Sequence, residues 1–343
     1  MKKNWWKFLA VLLLSYVLIA TFTVPLVPGG LSISIDEIHR GKQTVEFVGY
    51  NTHFQDNASN LQCFVAIGEQ YLGVEDLKIT DNAHLQFSVE WPDTMPSSAI
   101  AFYVNDHVDG SVYVSSALSN KDIAIVSNSK LKTTIQPQVL TDDHQVHGFP
   151  FQPILFETIR NLMLHVPMWF TMFFLMGIAF VASIKSMRGN AASDLVAVAS
   201  VKVGLLFCIL GLITGSLWAR FTWLTWWTKD PQLNGALVVF IVYVAYILLR
   251  NSIDDEIKRA RISAVFNLFA FVLMIVLLMV MPRIADNSLH PGKSGNPAFS
   301  KYDLDSSLRA VFYPAVIGWI LLGFWIYRLQ LKFEKLNDQI NRR

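Results

Sequence analysis

The sequence predicts a polytopic α-helical membrane protein of six transmembrane helices, with an extracytoplasmic all-β domain inserted between the first helix and the second. Three observations predict it. Hydrophobic residues make up 53% of the 343, charged residues only 16%, and the mean hydropathy is +0.39, a balance outside that of soluble globular chains. Six apolar runs each approach the roughly 20 residues that a helix needs to cross a hydrocarbon core. Between the first and second runs the pattern changes to the period-two alternation of half-buried strands. A net charge of +2 is too small to indicate nucleic acid as a partner.

The chain opens with MKKNWWK and an apolar run over residues 8–27. A signal peptide shares the basic start, but this run is long for its apolar region and no A-x-A site follows, so a retained helix with a cytoplasmic N-terminus is expected. From 29 to 152 the segments LSISIDEI, QTVEFVGY, LQCFVAI, HLQFSVEW, IAFYVND and GSVYVSS alternate and are rich in β-branched and aromatic residues. Asn, Asp, Gly and Pro punctuate them, which fits a small antiparallel sandwich or barrel-like domain. Residues 120–152 are less regular and lead back to the bilayer.

Five further apolar runs lie near 162–184, 195–217, 233–249, 262–281 and 311–327. Lys185 and Arg188 occupy one connection, Arg250, Lys258, Arg259 and Arg261 another, and Arg328, Lys332, Lys335, Arg342 and Arg343 the tail. With the basic N-terminus these fall on one side, which the positive-inside rule makes cytoplasmic. The β domain, the connection before residue 234 and the loop over 282–307 then share the outer face of an inner (plasma) membrane. The expected division is an N-terminal helix over 1–28, the β domain over 29–152, five helices over 153–330 and a cytoplasmic tail over 331–343.

The connection GSLWARFTWLTWWTKDPQLN carries Trp218, Trp223, Trp226 and Trp227, followed by Lys229, Asp230 and Pro231. Tryptophan collects at membrane interfaces because an indole joins an apolar body to a polar N–H, so anchoring is one reading. Four in one connection also suit a flat shelf for a large planar ligand. Two histidines flank it on the same face: His165 in RNLMLHVPMW and His290 in LHPGKSGNPAF. A histidine at a membrane boundary is either hydrogen-bonded to a nearby carbonyl or a ligand for a metal or haem iron. Trp169, four residues after His165, shares its helical face.

Other features read more simply. His144 and His147 form an H-x-x-H without the glutamate of a zinc-protease helix, and His39, His53, His84 and His107 are scattered surface residues. Asn57-Ala58-Ser59 is a formal glycosylation acceptor of a kind frequent by chance. Lys202, near the cytoplasmic end of its run, is expected to snorkel. Cys63 and Cys208 fall in different compartments and indicate no disulfide or redox pair. No phosphate-binding loop or Ser-His-Asp order is present, and the cytoplasmic segments are too short for an ATPase domain.

These motifs resemble the haem-handling membrane proteins of cytochrome c maturation, most closely the CcmC branch, which loads haem onto a periplasmic haem chaperone. That family has an outer loop of the type WGTWWxWDxRLT between two histidine-bearing segments. WLTWWTKDPQLN matches it at Trp223, Trp226, Trp227 and Asp230. His165, with Arg160 five residues ahead, matches the first histidine segment, and His290, followed by Gly292 and Pro297-Ala298, the second. Lys229 stands where a third motif tryptophan is usual and Gln232 where an arginine is usual, and a β domain replaces a short loop. The resemblance implies haem b as the bound group, with His165 and His290 as axial iron ligands. Trp169, Trp218, Trp223, Trp226, Trp227 and Asp230 then surround it, and Arg160 pairs with a propionate. Its implied partners are haem, the periplasmic haem chaperone, other cytochrome c maturation membrane proteins and lipid. No catalytic group is expected beyond the site that positions haem. A membrane-anchored ligand sensor or adhesin, or a haem-containing redox enzyme, are the competing readings.

Overall fold

A computed structural model describes residues 4–116, 118–126, 135, 147–153, 155–190, 192–285 and 304–341. The chain divides into two compact units, one formed by Met1–Thr23 with Glu157–Arg343 and one by Val24–Phe156. The first is helical. Its elements are α1 (Trp5–Thr23), α2 (Leu162–Met187), α3 (Ala192–Thr222), α4 (Pro231–Asn251), α5 (Glu256–Ile275), a π-helical turn at Val276–Val280, α6 (Met281–Ile284) and α7 (Ser306–Asn341). Among the described residues six spans are long and apolar enough to cross a membrane, with α5, the π turn and α6 forming one of them, so this is an integral membrane protein.

Successive spans run antiparallel, and side-chain contacts fix their register. Gly204 of α3 faces Met176 of α2, and Gly211 and Gly215 face Trp169 and His165. Asp194 at the start of α3 meets Arg250 at the end of α4, Gly235 of α4 meets the Leu277 carbonyl, and Tyr16 of α1 donates to the Ala310 carbonyl of α7. The end of α1, the start of α2, the end of α3 and the starts of α4 and α7 therefore lie at one end of the bundle. In the core Met168, Met172, Leu175, Met176 and Ala179 of α2 pack among residues of α3, α4, α5 and α7. Two details add to the sequence reading. Helix α7 continues through the expected tail to Asn341. Lys202 forms a 2.7 Å ion pair with Glu334 of α7, which also accepts from Gln330.

In the second unit the strands are β1 (Gly29–Ile33), β2 (Glu37–Ile38), β3 (Gly41–Tyr50), β4 (Gln62–Ile67), β5 (Gln70–Gly73), β6 (Glu75–Ile79), β7 (His84–Trp91), β8 (Thr94–Met95), β9 (Ile100–Asp106), β10 (Gly110–Ser116), β11 (Ser119–Asn120) and β12 (Ala124–Ile125). They form two four-stranded antiparallel sheets, β1-β3-β7-β6 and β10-β9-β4-β5, with two short parallel pairs. Period-two alternation turns Val45 and Phe47, Leu85, Phe87 and Val89, Val65 and Ile67, and Phe102 and Val104 into one shared core. Where the chain enters and leaves the unit, Val27 N–H donates to the Phe149 carbonyl and Phe149 N–H to the Pro25 carbonyl, both at 2.8 Å. Adjacent ends are what allow a folded unit to interrupt a helix–helix connection.

At the β9–β10 turn, Asp106 is buried and accepts through Oδ1 from the Val108 and Asp109 amides, while Asp109 holds His53 at 2.8 Å. Burial is the main cause that raises the Asp106 pKa above the ordinary 3.8, against those amide bonds. The folded unit then binds this proton more tightly than the unfolded chain, so its contribution to stability falls as pH rises above the ordinary carboxylate value. Lowering the pH from 7 towards 4 is expected to slow hydrogen exchange of the β9 amides, after correction for intrinsic rates, and Asp106→Asn to flatten that response. An identical response in the variant would exclude Asp106 as its source. Burial, with Asp106 nearby, also pushes the Cys63 thiol up to about 12, so it stays protonated and unreactive.

Candidate functional site

The start of α2 and the end of α3 approach closely because α3 presents glycine to them. A Cβ on Gly211 would stand 2.8 Å from Trp169 Cε2, and one on Gly215 would stand 2.6 Å from His165 Cε1. Neither distance is tolerable between real atoms, so these glycines form the groove in which the indole and the imidazole lie. Gly211 and Gly215 are four apart on α3, as His165 and Trp169 are on α2, so each pair occupies one helix face. Gly211-Leu212-Ile213-Thr214-Gly215 is a small-xxx-small pattern, a legible sign of close helix approach that the tryptophans overshadowed in the sequence.

Hydrogen bonds determine which nitrogen of His165 carries the proton. Trp169 Nε1 donates to His165 Nε2 at 3.3 Å, and an indole N–H has no acceptor capacity, so Nε2 presents its lone pair. A neutral imidazole then holds its proton on Nδ1, 3.1 Å from Thr214 Oγ1. Thr214 can accept because its own hydroxyl donates to the Leu210 carbonyl at 2.8 Å. Asn161 Nδ2 donates to the Thr214 carbonyl at 2.9 Å, tying the start of α2 to the same turn of α3. Thr214 and Asn161 carry no motif, and only helix pairing reveals them.

Two indoles meet the imidazole edge to face. Trp169 stands 6.1 Å from it at 81°, and Trp218 stands 5.7 Å from it at 84°. Trp218 Nε1 donates to Thr158 Oγ1 at 3.2 Å, ahead of α2. His165, Trp169 and Trp218 are thus brought together, half-buried, at one end of the bundle.

The other tryptophans lie in the α3–α4 connection. Leu224 has φ +59°, a left-handed conformation unusual for a bulky residue, and Arg220 Nη1 donates to its carbonyl at 2.8 Å. The chain then doubles back, so that Ser216, next to Gly215, donates to the Trp226 carbonyl at 2.9 Å. Trp226 is left 58% exposed and Trp227 37%, an open aromatic surface, while Trp223 is half-buried. Trp227 Nε1 donates to Asn234 Oδ1 at 3.2 Å. Asp230 is buried and caps α4, accepting from the Gln232 and Leu233 amides at 2.8 and 3.3 Å ahead of Pro231. Its carboxylate therefore fixes where the connection ends.

Arg160 stands at the entry to α2, where Nε donates to the Glu157 carboxylate and Nη1 to the Thr21 carbonyl at 2.6 Å. It ties the end of α1 to the approach to α2. His290 lies outside the described residues, as does His144. Of the sequence-predicted set, the structure joins His165, Trp169 and Trp218, and connects them through Ser216 to the loop of Trp223, Trp226, Trp227 and Asp230.

Residues 149–343 match the CcmC family, described as Heme exporter protein C. The chain is 31% identical over 203 residues to Heme exporter protein C of Rhodobacter capsulatus, covering 58% of this chain and 81% of that protein. It is 27% identical over 187 residues to that of Paracoccus denitrificans, covering 54% and 75%. For that of Bradyrhizobium diazoefficiens it is 33% identical over 112 residues, 32% of this chain and 43% of that protein, so there the chain spans less than half of the relative's length. The matched region contains the whole His165 groove and the tryptophan connection, over more than half of the sequence, and on that ground the chain belongs to the CcmC, Heme exporter protein C, family.

Proposed function

We propose that this protein binds haem b at the His165 end of the bundle, on the outer face of the inner membrane, and delivers it to an extracytoplasmic haem chaperone during c-type cytochrome biogenesis. The observation that carries the proposal is the His165 imidazole held between the Trp169 indole N–H at Nε2 and Thr214 Oγ1 at Nδ1, contacts that assign the proton of a neutral ring to Nδ1 and the lone pair to Nε2. That is the form in which histidine ligates iron. A porphyrin brings four nitrogen ligands of its own, so a chain that handles it need add only axial groups, aromatic surface and partners for the propionates. His290 is the second axial ligand in this proposal. Trp218, Trp223, Trp226 and Trp227 form the shelf, with Asp230 holding its far end in place as the α4 cap. Arg160 meets a propionate in exchange for Glu157, a charge-assisted contact of the same kind.

Membership of the Heme exporter protein C family and the relatives' shared name support haem as cargo. The basic connections support the orientation, with the termini cytoplasmic and the β domain and haem site outside. Other maturation membrane proteins and lipid are its remaining partners. The β domain is proposed as a docking surface for the acceptor, since the matched region begins only at residue 149.

One purification series tests this reading. The full chain in detergent, supplied with haem, is expected to show a Soret band with low-spin features, whereas a colourless protein would favour the anchored sensor. Trp226→Ala combined with Trp227→Ala is expected to weaken haem retention by about five-fold or more, as an aromatic contact worth about 1 kcal/mol or more is lost. Equal retention and transfer would return these indoles to membrane anchoring. Replacing residues 30–146 with a Gly/Ser linker is expected to preserve haem content but reduce transfer. Loss of both in a stable, inserted protein would overturn that division of labour.

A further inference from the structure

The same hydrogen bond that identifies the tautomer of His165 also occupies the atom that an iron would need. Nε2 has one lone pair, and Trp169 Nε1–H is directed at it from 3.3 Å. We propose that Trp169 is a built-in competitor for the haem iron: its indole N–H holds His165 Nε2 when haem is absent, yields it when haem binds, and reclaims it as haem leaves. The inference rests on His165 as an axial ligand and adds a device for release to that reading.

Three features make this more than an incidental contact. Trp169 and His165 are four residues apart on α2, so the competitor is covalently held beside its target and needs no diffusive encounter. The Trp169 ring is seated against Gly211, where even a methyl group would stand 2.8 Å from Cε2, so the space that admits the indole exists only because α3 has no side chain there. On the other side of the imidazole, Thr214 Oγ1 accepts a hydrogen bond from Nδ1–H while its own hydroxyl donates to the Leu210 carbonyl, which keeps the contested lone pair on Nε2. Thr214 is a positioning residue and Trp169 the competing donor. A carrier has to give up what it binds. A neutral hydrogen bond that re-forms on release weakens retention without removing the ligand, and the net worth of such a bond corresponds to about a two- to ten-fold change in affinity.

Trp169→Phe tests the proposal, because it keeps an aromatic body against Gly211 and removes the N–H. It is expected to slow haem loss to excess apomyoglobin by about two- to ten-fold. In the haem-free protein it should also shift the 15N resonance of His165 Nε2 towards that of an unbonded lone pair. Unchanged or faster haem loss, with an unchanged resonance, would overturn the proposal. If the smaller ring disturbs the groove, benzothienylalanine at position 169 supplies the indole shape without the N–H, and the same two outcomes decide. His165→Ala separates this inference from the reading beneath it. Wild-type haem binding by that variant removes His165 as a ligand, and the proposal with it. Loss of binding there, with no effect of either change at 169, removes the competitor alone.

Discussion

His165→Ala is expected to reduce the haem content of the purified protein by at least roughly ten-fold, with free imidazole restoring part of it. Loss of an outer-sphere partner of a metal-bound histidine already lowers affinity by about 10–100-fold, and removing the ligand itself should do no less. Imidazole can enter because the cavity left beside Gly215 has the shape of the missing ring, with Trp169 Nε1 and Thr214 Oγ1 still at its two nitrogen positions. His290→Ala is expected to behave in the same way. Optical titration with haem, with and without imidazole, measures both variants. A wild-type spectrum in each would remove the axial assignment, whereas haem loss without imidazole rescue would show that the histidine holds the groove together.

Asp194→Ala is expected to destabilise the helical unit by about 3–5 kcal/mol, the cost of leaving a buried charge without its partner. Arg250 of α4 and Asp194 of α3 form a two-pronged pair, Nη1 to Oδ1 at 2.7 Å and Nη2 to Oδ2 at 2.5 Å, with side chains only 8% and 14% exposed. The planar guanidinium matches both carboxylate oxygens, which lysine cannot do, so Arg250→Lys should also lose much of the stability. Replacing both at once, Asp194→Leu with Arg250→Met, removes the unpaired charge and should recover most of what the single change loses. The midpoint of thermal or SDS-induced unfolding measures this. A single variant as stable as wild type would show that solvent or lipid headgroups satisfy Arg250. Because this pair lies at the opposite end of α3 from Thr214, haem content should be spared in variants that remain folded.

The helices were legible because length and apolarity act over whole segments. Nothing but a helix satisfies its backbone within such a run, so α1 and the runs near 162–184 and 195–217 correspond closely to observed helices. The strands were legible for the complementary reason: residues 85, 87 and 89 or 100, 102 and 104 can share a core only if successive side chains point to opposite faces. Less visible was the pairing of Lys202 with Glu334, because 132 residues separate them and only the packing of α3 on α7 brings them together. The left-handed Leu224 was equally hidden, since leucine carries no local preference for that conformation.

For the site, the sequence by itself determined the ingredients: a histidine at a helix start, an indole on its face, and a tryptophan connection ending in Asp230-Pro231. Residue type and spacing suffice for these, because helical periodicity and capping are local properties of the backbone. Only the tertiary structure decided the chemical state of the histidine. Which imidazole nitrogen bears the proton follows from the Trp169 N–H at Nε2 together with Thr214 of another helix at Nδ1, and from the approach of α3 to within contact of both rings, which Gly211 and Gly215 permit. Such a hydrogen bond is a property of two helices at one distance and register. Neither quantity is encoded at the position of the histidine, and both follow from how the whole bundle packs.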